Sequence, residues 1–247
     1  MSDWNDPRNT RSPFGSGPAI NGMPIEAVAK DAGLRSYMLS IYNYMASGVL
    51  LSGIVALLAA TSGFAEAIFA TPLRWVIALA PLGFVMAMSF GVNRMQEGTL
   101  KLLFWAFSVV MGLSLSAIFF VYTGPSIALT FFSTAGAFAG LSLYGYTTKR
   151  NLSGMGSFMA MGLIGLIIAM LLNLWLQSGP LSLAISAIGV VIFAGLTAWD
   201  TQRLRETYYH VAGTDMVGKV VIMGALSLYL DFINMFQFLL SFLGNRD

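Results

Sequence analysis

Few side chains in this sequence are suited to chemistry, and the first of them is Asp231. It lies near the middle of the apolar stretch Val220–Leu243, where an ionised carboxylate costs about 2.5–3.5 kcal/mol on insertion scales. Ser227, Asp231 and Asn234 recur at i, i+4 and i+7, so a helix places all three on one face. A polar stripe on an apolar helix points to a bundle interior or a water-filled cavity, where a carboxylate can hold protons or cations. The plain alternative is an aspartate that only hydrogen-bonds helices together. Asp200 is the second carboxylate, with Thr197 one turn before it on the same face; its plain alternative is a solvated acid at a helix end. Arg94 closes the second apolar stretch and could pair with an acid or act as an ordinary basic anchor. Proximity of the two acids does not follow from their spacing. Asp231 lies roughly 16 Å of helical rise beyond Val220, the residue after Lys219. The acids can therefore meet only if the sixth helix runs past Asp200 or the seventh begins later than Val220.

Other chemistries lack their residues. There is no cysteine, hence no disulfide framework and no thiolate metal site. The one histidine, His210, falls in a polar loop expected from Asp200 to Gly218, so an intramembrane Ser–His dyad and a histidine-held zinc or haem have no ligands. A retinal Schiff base needs a lysine deep in a helix, whereas Lys30, Lys101, Lys149 and Lys219 lie at or beyond helix ends. No GxxxxGK[ST] phosphate loop is present, so nothing suggests ATP-driven transport. A net charge of +2 is too small to suggest nucleic-acid binding. The chain is expected to be no enzyme.

The elements that must position these residues are membrane helices. Of the 247 residues 57% are hydrophobic and 10% charged, against about 25% charged in a soluble domain. So few charges cannot coat a water-soluble globule, but they suffice where the solvent is lipid. Seven apolar stretches follow one another: Tyr37–Ala60, Pro72–Val92, Leu102–Thr123, Ser126–Tyr146, Gly154–Leu176, Leu183–Trp199 and Val220–Leu243. Each approaches the roughly 20 residues that cross the hydrocarbon core as a helix, the form that satisfies its backbone internally. Leu183–Trp199 is the shortest and could continue beyond Asp200. The fold expected is an all-α membrane protein with a seven-helix transmembrane domain over 34–244. Residues 1–33 carry Pro7, Pro13, Pro18 and Pro24 among many Gly, Ser and Asn, and read as a disordered cytosolic tail. They contain no apolar signal core, so the first helix is expected to act as an uncleaved insertion signal.

Lysine and arginine set the expected orientation. With the N-terminus inside, Arg8, Arg11, Lys30, Arg35, Arg94, Lys101, Lys149, Arg150, Arg203, Arg205 and Lys219 fall inside, 11 of the 13 basic residues, and Arg74 and Arg246 fall outside. Seven crossings then put the C-terminus outside; a re-entrant last segment would put it inside. Small residues at helical spacing, Gly112-Leu-Ser-Leu-Ser116, Gly136-Ala-Phe-Ala-Gly140 and Gly162-Leu-Ile-Gly165, are expected at close helix contacts.

The stretch Ala225-Leu-Ser-Leu-Tyr-Leu-Asp-Phe-Ile-Asn-Met-Phe236 resembles the last-helix motif of the Bax inhibitor-1 family. Gly112-Leu-Ser-Leu-Ser-Ala-Ile-Phe119, Leu141-Ser-Leu-Tyr-Gly-Tyr-Thr-Thr-Lys149 and Gly195-Leu-Thr-Ala-Trp-Asp-Thr-Gln202 resemble its bacterial, YccA-like branch, and the likeness covers roughly residues 34 to 244. The resemblance implies a central C-terminal helix wrapped by the other six, in a bacterial inner membrane protein. It implies a pH-sensitive calcium leak channel or proton-linked calcium transporter. Asp200 and Asp231 would be its proton sensor and calcium ligands, and Arg94 a latch onto Asp200. Some bacterial relatives carry a glutamate within the second helix, where Gly83 stands here. Partners implied are the lipid bilayer, calcium and protons. The alternative is an interaction protein in membrane-protease quality control or stress response, without transport.

Overall fold

Two short motifs start helices in the same way. In Thr123-Gly-Pro and Ser178-Gly-Pro the hydroxyl accepts the backbone N–H of Ser126 or Leu181, with proline in the first turn. The side chain satisfies an orphan donor and the ring presets a helical φ. A computed structural model of the chain describes Ala19, Ile20 and residues 23–245, with side chains from residue 31 onward. The helices are α1 (Ile25–Thr61), α2 (Phe64–Phe69), α3 (Leu73–Gly91), α4 (Glu97–Leu115), α5 (Gly124–Thr147), α6 (Ser153–Leu176), α7 (Gly179–Val211) and α8 (Val217–Leu243). A 3₁₀ segment, Ser116–Phe120, prolongs α4, and Ala19–Ile20 pairs antiparallel with Met23–Pro24. Most of the expected tail 1–33 lies outside the described residues; its last part, from Ile25, begins α1.

Seven of these helices are long and apolar enough to cross a membrane, and the short α2 fills a loop. The arrangement is all-α with α8 at its centre. In its apolar window 67% of α8 is buried, against 11% for α3 and for α6. Helix α8 packs directly on α1, α4, α5 and α7, whereas α3 leans on α4 and α6 on α7. The expected wrapping by six helices is therefore an inner ring of four and an outer pair. Outward-facing Phe90 and Trp175 are 80% and 92% exposed, as befits a surface whose solvent is lipid.

Helix α7 runs to Val211, well past the expected end at Trp199, and His210 sits in its last turn, not in a loop. Hydropathy marks where a helix leaves lipid, whereas the backbone continues wherever helix formers such as Arg203, Leu204, Arg205 and Glu206 follow. The last apolar stretch is one unbroken helix of 27 residues, about 40 Å long, and not a re-entrant loop. One end of α8 meets Glu97, whose carboxylate occupies the space where a Gly218 side chain would be. Past the other end, Asn245 N donates to Ser126 Oγ at 3.0 Å. The two termini of α8 thus lie at opposite ends of the bundle.

Only some of the small residues in the three motifs make the close helix contacts expected of them. Gly112 does pack on α1, with space for a Cβ only 2.6 Å from Ser52 O, and Gly162 abuts Ile192. Gly136, Gly140 and Gly165 have nothing within 4 Å of a would-be Cβ, and Gly165 borders an open groove between α6 and α7. Gly145 meets the Ala198 carbonyl, Gly156 the Trp199 ring and Gly189 the Phe238 ring. Spacing alone does not say which side of a helix faces a neighbour.

Candidate functional site

The extension of α7 brings the two carboxylates together. Asp200 on α7 and Asp231 on α8 are each 5% exposed and lie close enough to interact directly. The Ser227 hydroxyl, one turn before Asp231 on α8, donates to Asp200 Oδ2. Arg203, one turn after Asp200, places Nη2 3.0 Å from Asp200 Oδ1 and 3.4 Å from Ser227 Oγ. Its guanidinium lies 4.7 Å from the Trp199 ring centroid, a cation–π contact. Asp200 Oδ1 has only the Arg203 guanidinium beside it, and Asp231 Oδ2 is buried without a hydrogen-bond partner among the described residues. A buried carboxylate oxygen without a donor is costly unless a proton or cation serves it.

A cavity of about 720 Å³ lies between α6, α7 and α8. Ser227 and Asp231 line its deep end, and Asn234, Gln237 and Ser241 continue up α8. Asn173 of α6 and Ser182 and Ser186 of α7 face the same space. The Ser186 and Ser241 hydroxyls are hydrogen-bonded to each other at 2.8 Å, tying α7 to α8 near the mouth. Walls of Leu166, Phe193 and Phe238 are apolar, so the polar groups form a track, not a general lining. The cavity runs from Asn173, Ser182 and Ser241 inward to Ser227 and Asp231. Asp200 and Arg203 stand beyond that floor, toward the end of the bundle that carries Lys149, Arg150, Arg205 and Lys219; we call it the basic end.

The six residues singled out by spacing fare differently. Asp200, Asp231 and Ser227 form one cluster, and Asn234 lines the cavity while donating to Leu230 O at 2.8 Å. Thr197 is fully buried and gives its hydroxyl to Phe193 O of its own helix at 2.8 Å. Arg94 is exposed in the turn after α3 and makes no ion pair among the described residues. The guanidinium on Asp200 belongs to Arg203, which spacing reasoning missed although an acid and a base at i, i+3 are a recognisable signal. Nothing in the sequence points to Ser186 with Ser241. The same holds for the clamp that Gln202 and Arg205 form on the α5–α6 loop, where Gln202 Oε1 accepts from Leu152 N and Nε2 donates to Arg150 O, both at 2.8 Å. Arg205 donates to Tyr146 O in the same clamp. Gly83 has open space around it, so a glutamate there would lie apart from this cluster.

As a cation site the cluster offers two carboxylates, the Ser227 hydroxyl and the Asn234 amide, all hard oxygen donors of the kind calcium prefers. No group of three or more His, Cys, Asp and Glu residues gathers among the described residues. Calcium takes about 6–8 oxygens, so the donor set suits an ion in passage with part of its water shell better than a tightly held resident.

Comparison with known proteins places these features in a group. The family model described as inhibitor of apoptosis-promoting Bax1 matches residues 34–247. The chain is 51% identical over 218 residues to an uncharacterized protein of Rickettsia prowazekii, covering 87% of this chain and 92% of the other. It is 47% identical over 232 residues to an uncharacterized protein of Caulobacter vibrioides, covering 88% and 92%. It is 46% identical over 219 residues to the inner membrane protein YbhL of Escherichia coli, covering 87% and 94%.

Proposed function

The chain is a multi-pass membrane protein of the Bax inhibitor-1 family, and we propose that it is a pH-sensitive leak or proton-linked pathway for calcium, with the α6–α7–α8 cavity as its vestibule. The observation that supports this reading is the pair Asp231, at the floor of a polar track, and Asp200, just beyond it. Two carboxylates in a low-dielectric site do not both ionise cheaply, and they titrate as a coupled pair. A proton shared between them holds α7 against α8 and closes the floor. Loss of that proton leaves two anions, which attract calcium and weaken the contact between the helices. Arg203 and Ser227 hold Asp200 in the closed state and moderate its charge. Arg94 would reach Asp200 only after a rearrangement of the loop that carries it, and a latch role for it belongs to a second state of the molecule.

Orientation follows the positive-inside rule. The basic end faces the cytosol of a bacterial inner membrane, the vestibule opens to the outside, and the C-terminus is external. Accessibility of terminal tags to an impermeant protease checks this: access to both from one face would remove the odd number of crossings.

The functional test is calcium flux into liposomes holding the purified chain, across a pH series. Flux should fall as pH is lowered through the titration of the pair, and Asp231→Asn should flatten that dependence. No flux at any pH would leave the interaction-protein reading, in which the chain acts on a membrane protease without transport. Flux with an unaltered pH profile in Asp231→Asn would separate the aspartates from sensing.

A further inference from the structure

A second large cavity, of about 740 Å³, lies on the other side of the bundle, between α1 and α5, with Phe232 of α8 at its back. Its walls are almost wholly apolar, with Met45, Val49, Phe131 and Phe138 facing one another. Helices α1 and α5 do not pack against each other along it; the small residues Ala46 and Ala139 leave the gap open. Leu39, Leu50 and Leu143 at its lips are 50%, 63% and 64% exposed, so the groove opens sideways into the surrounding lipid.

Besides Tyr42, midway along the α1 wall, three polar side chains break this apolar lining toward the basic end. Arg35 lines the mouth, is exposed, and makes no ion pair among the described residues. Tyr146 stands opposite it on α5. One turn deeper, Ser142 is 5% exposed and its hydroxyl has no partner among the described residues. A buried hydroxyl left unpaired is costly, so its position among apolar walls calls for a hydrogen-bonding occupant. From Arg35 to Leu50 the α1 wall rises roughly 22 Å. One leaflet contributes about 15 Å of hydrocarbon plus several Å of headgroup region, and the groove has that length and that order of polarity.

We propose that this groove is a binding site for one anionic glycerophospholipid of the leaflet at the basic end, with its phosphate on Arg35, an ester carbonyl accepting from Ser142, and an acyl chain laid against Phe138 and Phe232. The inference does not depend on the calcium reading, because it concerns a different face of α8. The lipid would complete the wall behind α8 that α1 and α5 leave open. A free phosphate would satisfy Arg35 but not the apolar length, and a zwitterionic phospholipid would fill the length while its ammonium offsets the phosphate charge at Arg35.

Native mass spectrometry of the full chain, delipidated in detergent and supplied with phosphatidylglycerol or phosphatidylcholine, tests the assignment. One phosphatidylglycerol should be retained in preference to phosphatidylcholine. Arg35→Ala should cut that preference about fivefold, the share of one basic residue near a membrane surface, while leaving binding of the neutral lipid. Ala139→Trp, on an exposed lip where no core contact is disturbed, should remove binding of both lipids. Arg74→Ala, at the opposite end of the bundle, should change neither. Equal retention of the two lipids by the unaltered chain, or a preference that survives both Arg35→Ala and Ala139→Trp, would overturn the site. So would binding that appears only after residues 1–18 are removed, because the groove would then belong to the chain's own N-terminal segment.

Discussion

Helix α8 shows two faces to its neighbours, and they treat polar side chains in opposite ways. On one face Tyr229 is fully buried, with Phe104 and Phe107 edge-on to its ring. Its hydroxyl lies 2.6 Å from Ser52 Oγ of α1, which donates to Ser108 O of α4, also at 2.6 Å. With its one proton so used, Ser52 accepts from Tyr229 and the chain of hydroxyls is complete. Two residues on, roughly 200° around the helix, Asp231 faces the cavity with one oxygen unpaired. The difference is one of closure. Helices α1 and α4 come close enough, at Gly112 against the Ser52 backbone, to expel solvent and satisfy each hydroxyl directly. Helix α6 instead leans on α7 and stands off α8, leaving room for water or an ion beside the carboxylates. Polarity of a side chain therefore does not by itself set it apart in this bundle; the space left in front of it does.

Substitutions on the two faces should separate stability from flux. The largest effect expected is that of Tyr229→Ala, which empties a fully buried aromatic site and should destabilise the bundle by about 3–5 kcal/mol, read as a lower melting temperature in detergent. Asp231→Asn is nearly isosteric and removes only a charge. It should lower calcium flux on the order of tenfold, equivalent to about 1.4 kcal/mol, with the melting temperature kept or raised. If Asp231→Asn melts as early as Tyr229→Ala, the two faces are alike and the contrast fails. Smaller again is the effect of the guanidinium. Arg203 is half-exposed, with 47% of its side chain accessible, so its pair with Asp200 is worth about 1 kcal/mol at most. Arg203→Ala should raise the basal leak by up to about fivefold, and Arg203→Lys should restore only part of the closure because lysine lacks the planar fork. Arg94→Ala should do less than Arg203→Ala. The reverse order in the same flux assay would show that the closed state relies on Arg94 and not on the pair seen at Asp200.

The amino-acid sequence by itself determined the membrane class, the seven spans and the polar stripe Ser227, Asp231 and Asn234. Each of these follows from composition or from the 3.6-residue period, which acts locally and needs no partner. The motif resemblance added the likeness of Asp200 and Asp231 to a family pair, and with it the central last helix. Only the tertiary structure decided how far α7 continues, since hydropathy reports the solvent around a helix and not its hydrogen bonds. It also decided which glycines meet a neighbour, because rotation of a helix about its axis is set by packing. The partner of Asp200 is the clearest case. Arg203 is three residues away in sequence and Arg94 more than a hundred, yet spacing alone cannot choose between them. That choice rests on where the α7 extension aims each side chain once α8 is in place, a quantity that exists only when the helices are packed.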